Sequence, residues 1–259
     1  MTDILGISFD IWVGAILGAI VSAIFTASAL GIRQFIKWWK RSRPRNMILG
    51  SLADNSQPCS IFVRDFHLAT GSRLEAYERG RLLGNVPNVT DLWSDVEGSG
   101  ISYVFNALGQ AGKKSNISIV RMSADPGIWN TNIIVMGAQA QKCYDFYDQL
   151  EGVMYAVNAT DIYNKESGAI IPREPGFGYG IILKARNHHK TSGTAGVGIL
   201  IGGYGTLGTL AAAYYFREHL KDLGKKFGKR CFGVIVRASV TAGEESVERL
   251  FHYDKAWAR

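Results

Sequence analysis

The sequence predicts an α/β layer fold, a mostly parallel sheet flanked by helices, behind one amino-terminal transmembrane helix. Three observations carry that expectation. Residues 11–32 (IWVGAILGAIVSAIFTASALGI) contain no charged side chain. From residue 46 onward, short apolar runs alternate with longer mixed stretches, as strands alternate with crossover helices. The run GILIGGYGTLGTLAAAYYFREHL, Gly198–Leu220, joins a buried-strand pattern to a helix pattern through a burst of glycines. With 259 residues, 47% of them hydrophobic, the chain is long enough for one sizeable core and an appendage.

At about 1.5 Å per residue, the uncharged run can cross a hydrocarbon core of about 30 Å. Arg33, Lys37, Lys40, Arg41, Arg43 and Arg45 follow it with no acid between them, and Trp38 and Trp39 lie in the same stretch. Indole rings favour the membrane interface and basic residues collect on the cytoplasmic flank. The expected organisation is therefore a span over 1–32 and a basic juxtamembrane linker over 33–45. A cytoplasmic domain over 46–259 follows, in a single-pass protein of the inner or cell membrane. Ala27-Ser28-Ala29 has the small-x-small look of a cleavage site, but the residues ahead carry Asp3 and Asp10, where a signal peptide carries positive charge.

Within the span, Gly14, Gly18, Ser22 and Thr26 recur every four residues, beside a second row of Ala15, Ala19, Ala23, Ala27 and Gly31. Small residues in such rows let helix backbones approach closely in lipid. The expected partners are the bilayer and further copies of this chain.

The formal charge is +7. Six bases and two acids precede residue 46, so the body carries only +3, which argues against a broad nucleic-acid-binding face. No nucleic-acid polymer is expected as a partner. Cys59, Cys143 and Cys231 are far apart and read as buried thiols of a reducing compartment.

Element by element, MILG (Met47–Gly50) reads as a first strand and CSIFVRDF (Cys59–Phe66) as the next. A helix begins near Ser72, and SGISYVFNALGQAG reads as a helix ending at Gly109 or Gly112. Ser115–Ser123 is a strand. Asn132–Gly137 is a buried strand followed by a helix over AQAQKCYDFYDQL. Tyr179–Ala185 is a strand, Val197–Gly203 the central strand, and TLAAAYYFREHLKDLGKK its helix. CFGVIVRASV closes the sheet. Ala211, Ala212 and Ala213 let the helix lie close to the sheet.

Three apolar strands thus end in glycine, at Gly50, Gly137 and Gly202–Gly203. In open α/β sheets ligands lie beyond the carboxyl ends of the strands, and glycine lets backbone approach a ligand. The amides that open the helix after Gly202-Gly203-Tyr204-Gly205-Thr206 would form an anion site, with hydroxyls of Thr206 and Thr209 beside it. A Cβ at Gly203 would stand in the ligand's path. Lys184 and Arg237 can meet a phosphate, as can Arg186 and Lys190. Asp54 and Asn55 can accept ribose hydroxyls or cap a turn. The run lacks the Gly-Lys-Ser/Thr of a P-loop and the dinucleotide spacing. A plain glycine turn would look the same. His188 and His189 read as part of a solvated loop, and Asp125 as a turn residue. No metal site, cofactor or local catalytic constellation is expected.

The GGYGT loop after a buried strand resembles the GGxGT loop of the SLOG superfamily of Rossmann-like nucleotide-binding domains, which includes the LOG-type phosphoribohydrolases. The likeness covers one strand–loop–helix unit. It implies a Rossmann-like fold and a phosphate held by Gly202, Gly203, Gly205 and Thr206. LOG enzymes read PGGxGTxxE. Here Ile201 replaces the proline and Thr209 the catalytic glutamate, so the resemblance implies binding rather than cleavage. The layout is also similar to membrane-anchored nucleotide-sensing effectors of bacterial antiviral defence. The expectation is a sensor that transmits ligand binding to its span through oligomer packing. A membrane-tethered hydrolase or glycosyl transferase acting on nucleotides, and a ligand-free scaffold, are the alternatives.

If the small-residue rows form an interface, Gly14→Ile and Gly18→Ile weaken self-association by about 1 kcal/mol per contact. Cross-linking yield in membranes measures the change, and an unchanged yield removes the rows as an interface.

Overall fold

Most strands of this sheet are apolar on both faces, which commits them to a layer between two cores. The computed structural model describes residues 9–63, 95–121, 130–137, 155–157, 161–187 and 196–253. By internal contacts the chain divides into Met1–Arg43 and Pro44–Arg259.

In the first unit, helix α1 (Phe9–Leu49) begins. It is long and apolar enough to cross a membrane. Its residues from Ile16 to Lys37 are all exposed. Thr26 Oγ1 donates to the Ser22 carbonyl at 2.8 Å, which satisfies that hydroxyl within the helix. The Arg43 guanidinium lies 4.5 Å from the Trp39 ring centroid. Gly14 and Trp38 lie in the same helix; their surroundings fall outside the described residues.

Two expectations at this junction are corrected. Residues 33–45 are helical, and Pro44 lies inside α1 instead of in a linker. Met47–Leu49 end that helix where a strand was expected, with Ile48 and Leu49 fully buried. Gly50, at φ +55°, follows as the left-handed residue that commonly terminates a helix, and a 3-10 turn (Gly50–Ala53) comes next.

The second unit is built on a seven-stranded sheet. Its strands are β1 (Cys59–Val63), β2 (Ile117–Arg121), β3 (Asn132–Met136), β6 (Phe177–Asn187), β7 (Gly196–Gly203), β8 (Phe232–Ser239) and β9 (Glu248–Tyr253), in the order β2-β1-β3-β7-β6-β8-β9. β2, β1, β3 and β7 are parallel neighbours. β6 runs antiparallel to both β7 and β8, and β8 to β9. The sheet is therefore mixed, and β9 extends it beyond the strand expected to close it. A small antiparallel pair, β4 (Tyr155–Val157) with β5 (Ile162–Asn164), is a further unpredicted element.

Alternation along the strands feeds two cores. One holds Ile61, Ile134, Ile199, Ile201, Val234 and Val236, with the helices α2 (Asp95–Gln110) and α3 (Gly205–Phe227) and the end of α1 packed on that face. The other holds Phe62, Ile133, Val135, Ile181, Leu183, Leu200 and Ile235, together with Ala156, Val157 and Ile162 of the β4–β5 pair. The helices expected from Ser72 and over residues 138–150, with Cys143, Asp125, His188, His189 and Lys190, lie outside the described residues.

Helix α3 is held very close at both ends. A Cβ on Gly208 would overlap the Tyr179 carbonyl of β6, and one on Gly224 would overlap the Pro44 carbonyl. Between them Ala211, Ala212 and Ala213 are fully buried. Gly208→Ala should therefore cost at least about 2 kcal/mol through forced separation of helix and strand. Gly109→Ala, at a helical glycine with open space around it, should be neutral or gain about 0.5–1 kcal/mol. Denaturant unfolding of the detergent-solubilised chain measures both, and equal effects would refute the packing argument.

Candidate functional site

The parallel register lines up strand ends. Met136 pairs with Ile201, and the Gly137 amide donates to the Ile201 carbonyl at 2.9 Å. Gly137, at φ +97°, thus lies beside Gly202 on the carboxyl edge of the sheet. Gly180 pairs with Gly203 and Tyr179 with Arg237, so Arg237 lies on the same edge.

On this edge each glycine has its own reason. Gly203 is buried, and a Cβ there would lie 2.5 Å from the Tyr179 carbonyl oxygen and 2.7 Å from the Thr209 amide nitrogen. The expectation that a Cβ at Gly203 would chiefly obstruct a ligand is corrected: it would first collide with the protein's own backbone. Gly205 has open space but φ +71°, which disfavours any side chain. Tyr204, the residue before α3, donates its amide to the Tyr179 carbonyl at 2.8 Å and supplies no capping side-chain bond. No acid stands in the first turn. The opening turn of this 23-residue helix thus has neither a side-chain cap from Tyr204 nor a counter-charge of its own. The Thr206 side chain is exposed there, while Thr209 Oγ1 donates to the Gly205 carbonyl at 3.4 Å.

Two cations flank the edge. Arg237 donates to Glu248 at 2.5 Å and to Glu174 at 2.7 Å and stacks on Phe177, so its charge already has carboxylate partners. Arg173, which sequence reasoning missed, places its guanidinium 4.0 Å from the Tyr204 ring centroid. Its ion pair with Asp161 spans 3.9 Å. Nothing local in PREPGFG marks Arg173; only the return of β6 beside β7 brings it to the glycine loop.

The other expected ligand residues lie at the opposite end of the sheet. Gly50 faces Val197, at the start of β7, and Lys184 pairs with Ile199. From Gly196 to Gly203 the strand extends about 23 Å, so a single small ligand does not span Gly50, Gly137 and Gly203. The expected shared crevice is corrected to two separate edges. Asn55 is a turn clamp there: its Oδ1 accepts from the Lys114 amide at 2.6 Å and its Nδ2 donates to the Gly112 carbonyl at 2.9 Å. Asp54 Oδ1 accepts from the Ser56 amide and hydroxyl, each at 2.8 Å. Buried Lys113 ties the same turn by donating to the carbonyls of Asp54 and Gln57. Burial pushes the nearby Cys59 thiol up to about 12, against the lowering influence of Lys113, which makes it an inert core residue.

Lys184 is 5% exposed. Among the described residues, its Nζ donates to the carbonyls of Lys229 at 3.3 Å and of Met47 and Gly228 at 3.5 Å. Desolvation pushes its ammonium down to about 8; the Lys229 charge adds to that and Cys231 opposes it. Among the described residues, no group of three or more His, Cys, Asp or Glu side chains is placed to hold a metal.

No protein-family model matches this sequence, and no curated protein matches it.

Lys184 makes a signed pH prediction. Between about 8 and its ordinary 10.5 the folded chain binds fewer protons at this residue than the unfolded chain, so its contribution to stability rises with pH across that window. Relative to Lys184→Met, the parent should gain stability from pH 8 to pH 10, measured by urea unfolding of both. A flat difference would show that Lys184 titrates normally.

Proposed function

We propose that this protein is a membrane-anchored sensor. A Rossmann-like cytoplasmic domain binds a nucleotide-type ligand, and the occupied domains repack as an oligomer so that the α1 spans register the change. One observation carries the reading: α3 begins at the carboxyl edge of the central strand with uncapped amides and no acid in its first turn, beside Gly137. That edge is where doubly wound sheets place phosphates. The order reversal of the sheet lies between β1 and β3, so of the glycine-loop edge it borders Gly137, at the end of β3, and the α3 terminus lies one strand further on.

Ligand phosphate would accept hydrogen bonds from the amides of Gly205, Thr206 and Leu207 and from the Thr206 hydroxyl. Arg173 would supply the cation that the resemblance to SLOG domains did not locate. The ligand's sugar or base would lie along Gly137. Thr209 stands where LOG-type enzymes carry their glutamate, and its hydroxyl is turned to the Gly205 carbonyl, which favours binding over cleavage. The layout, a span joined to a ligand-binding α/β domain, suits a signalling effector of the antiviral-defence type. Transmission requires that the ligand bind the two packings with different affinity.

The test is equilibrium binding of a nucleotide panel to the full chain in nanodiscs at low and high salt. Thr206→Glu changes an exposed side chain and places a carboxylate where the phosphate would sit, so binding should be lost with folding intact. Thr206→Ala should cost about 1 kcal/mol, one hydrogen bond. Undiminished binding by Thr206→Glu would overturn the site, and consumption of the nucleotide would favour the hydrolase reading.

A further inference from the structure

The amino edge of the sheet holds a cleft of about 590 Å³ that the reading above does not use. The end of α1, at Asn46 and Met47, forms one side of it. Lys184 and Arg186 of β6, the start of β7, Lys229 and Cys231 after α3, and the turn from Gly50 to Asp54 line the rest. The volume falls within the range of small-molecule sites.

Its charge is one-sided. Lys184 and Arg186 are two residues apart on one strand, so their side chains leave the same face. Lys229 joins them from the turn after α3. Asp54 is the acid among the described lining residues, and its Oδ1 already accepts two bonds from Ser56. The Lys184 ammonium is buried, with neutral carbonyls 3.3–3.5 Å away as its hydrogen-bond partners. Charge-assisted bonds close to about 2.7–2.9 Å. A buried cation so weakly compensated is expensive for a fold to keep, and an anion in the cleft would supply the missing counter-charge.

We propose that this cleft is a second, separate anion site, which takes a small phosphate-bearing ligand between Arg186 and Lys229 above the buried Lys184. It is independent of the α3 site. Asn46 and Met47 line it directly, so occupancy is felt by the last turn of α1.

Inorganic pyrophosphate is the probe, and the full chain in phosphatidylcholine nanodiscs is the sample. To silence the α3 site, the experiment is run in the Thr206→Glu variant. Pyrophosphate should raise the melting temperature there, with an affinity that Arg186→Ala, an exposed substitution, lowers at least about tenfold without moving the ligand-free melting temperature. Lys184→Met should remove the pyrophosphate-induced rise while the chain still melts cooperatively. If Lys184 only ties three carbonyls, Arg186→Ala leaves the rise intact, and the proposal fails. No rise in the Thr206→Glu variant also overturns it. A second arm omits pyrophosphate and adds phosphatidic acid to the disc. A rise there with the same sensitivity to Arg186→Ala identifies the phosphate as a lipid headgroup; a rise only with pyrophosphate identifies a free ligand.

Discussion

The second unit depends on one close approach, that of the first turn of α3 to the β6–β7 pair. Gly180, Gly203 and Gly208 meet there with no room for a single Cβ: each would strike backbone of the facing element. The Tyr204 amide bonds the Tyr179 carbonyl at the same point. Because backbone touches backbone, α3 leaves the sheet edge at a defined place, and the three alanines that follow lie flat on the strands. The same constraint recurs at the far end, where Gly224 admits the Pro44 carbonyl. Helix α3 is thus clamped between the sheet and the segment where α1 ends, and the core of Phe216, Leu220, Leu223 and Phe227 closes around it.

That constraint changes what the glycines mean. Gly203 and Gly208 are required by packing whether or not a ligand binds, and Gly205 by its backbone angle. The glycine burst alone therefore says nothing of a phosphate. What does speak for one is the state of the helix terminus that the packing leaves behind. A side-chain cap commonly stabilises such an end by about 1 kcal/mol, and Tyr204 provides none. The ligand reading rests on the amides, with the glycines as the reason those amides are held at the edge.

Much of the fold could be read from the sequence, and the failures have physical causes. The strands β1, β3, β6, β7 and β8 and the helix α3 followed from apolar runs bounded by glycine and polar residues. Met47–Leu49 did not, since a four-residue apolar run has no period to distinguish a strand from the buried last turn of a helix. Gly50 then read as a strand ending because helix and strand both leave through glycine. The basic stretch read as a linker because Pro44 usually breaks helices. β9, with the sequence ERLFHY, mixes charge and aromatics and carries little alternation. For the site, Gly137 and Arg237 were placed on the glycine-loop edge by sequence order alone, but so were Gly50, Asp54, Asn55 and Lys184, which belong to the other. The reversal of β6 decides this: its first residues lie beside Gly203 and its last beside the start of β7. Strand direction is a pairing property, and local sequence does not carry it.

The two edges receive opposite ends of α3. At the carboxyl edge α3 presents its positive amide end, and the cations described there are Arg173, stacked on Tyr204, and Arg237, paired to Glu174 and Glu248. At the amino edge the same helix ends, and carbonyls after its last turn face the Lys184 ammonium. A helix carbonyl end favours a cation, which gives Lys184 a structural reason to be there. It does not give the Arg186 and Lys229 side chains one, since neither is needed to satisfy those carbonyls, and the Lys229 charge adds to the cost of burying the Lys184 ammonium. Two further cations beside one buried ammonium are hard to reconcile with stability as their only purpose, and the chain segment they adjoin, Asn46–Gly50, contains the last turn of α1. A ligand that neutralises them would act at the last turn of α1, while a ligand at the start of α3 would act at the far side of the same sheet. The rigid connection between the two is α3 itself, tied at one end by Gly208 and at the other by Gly224.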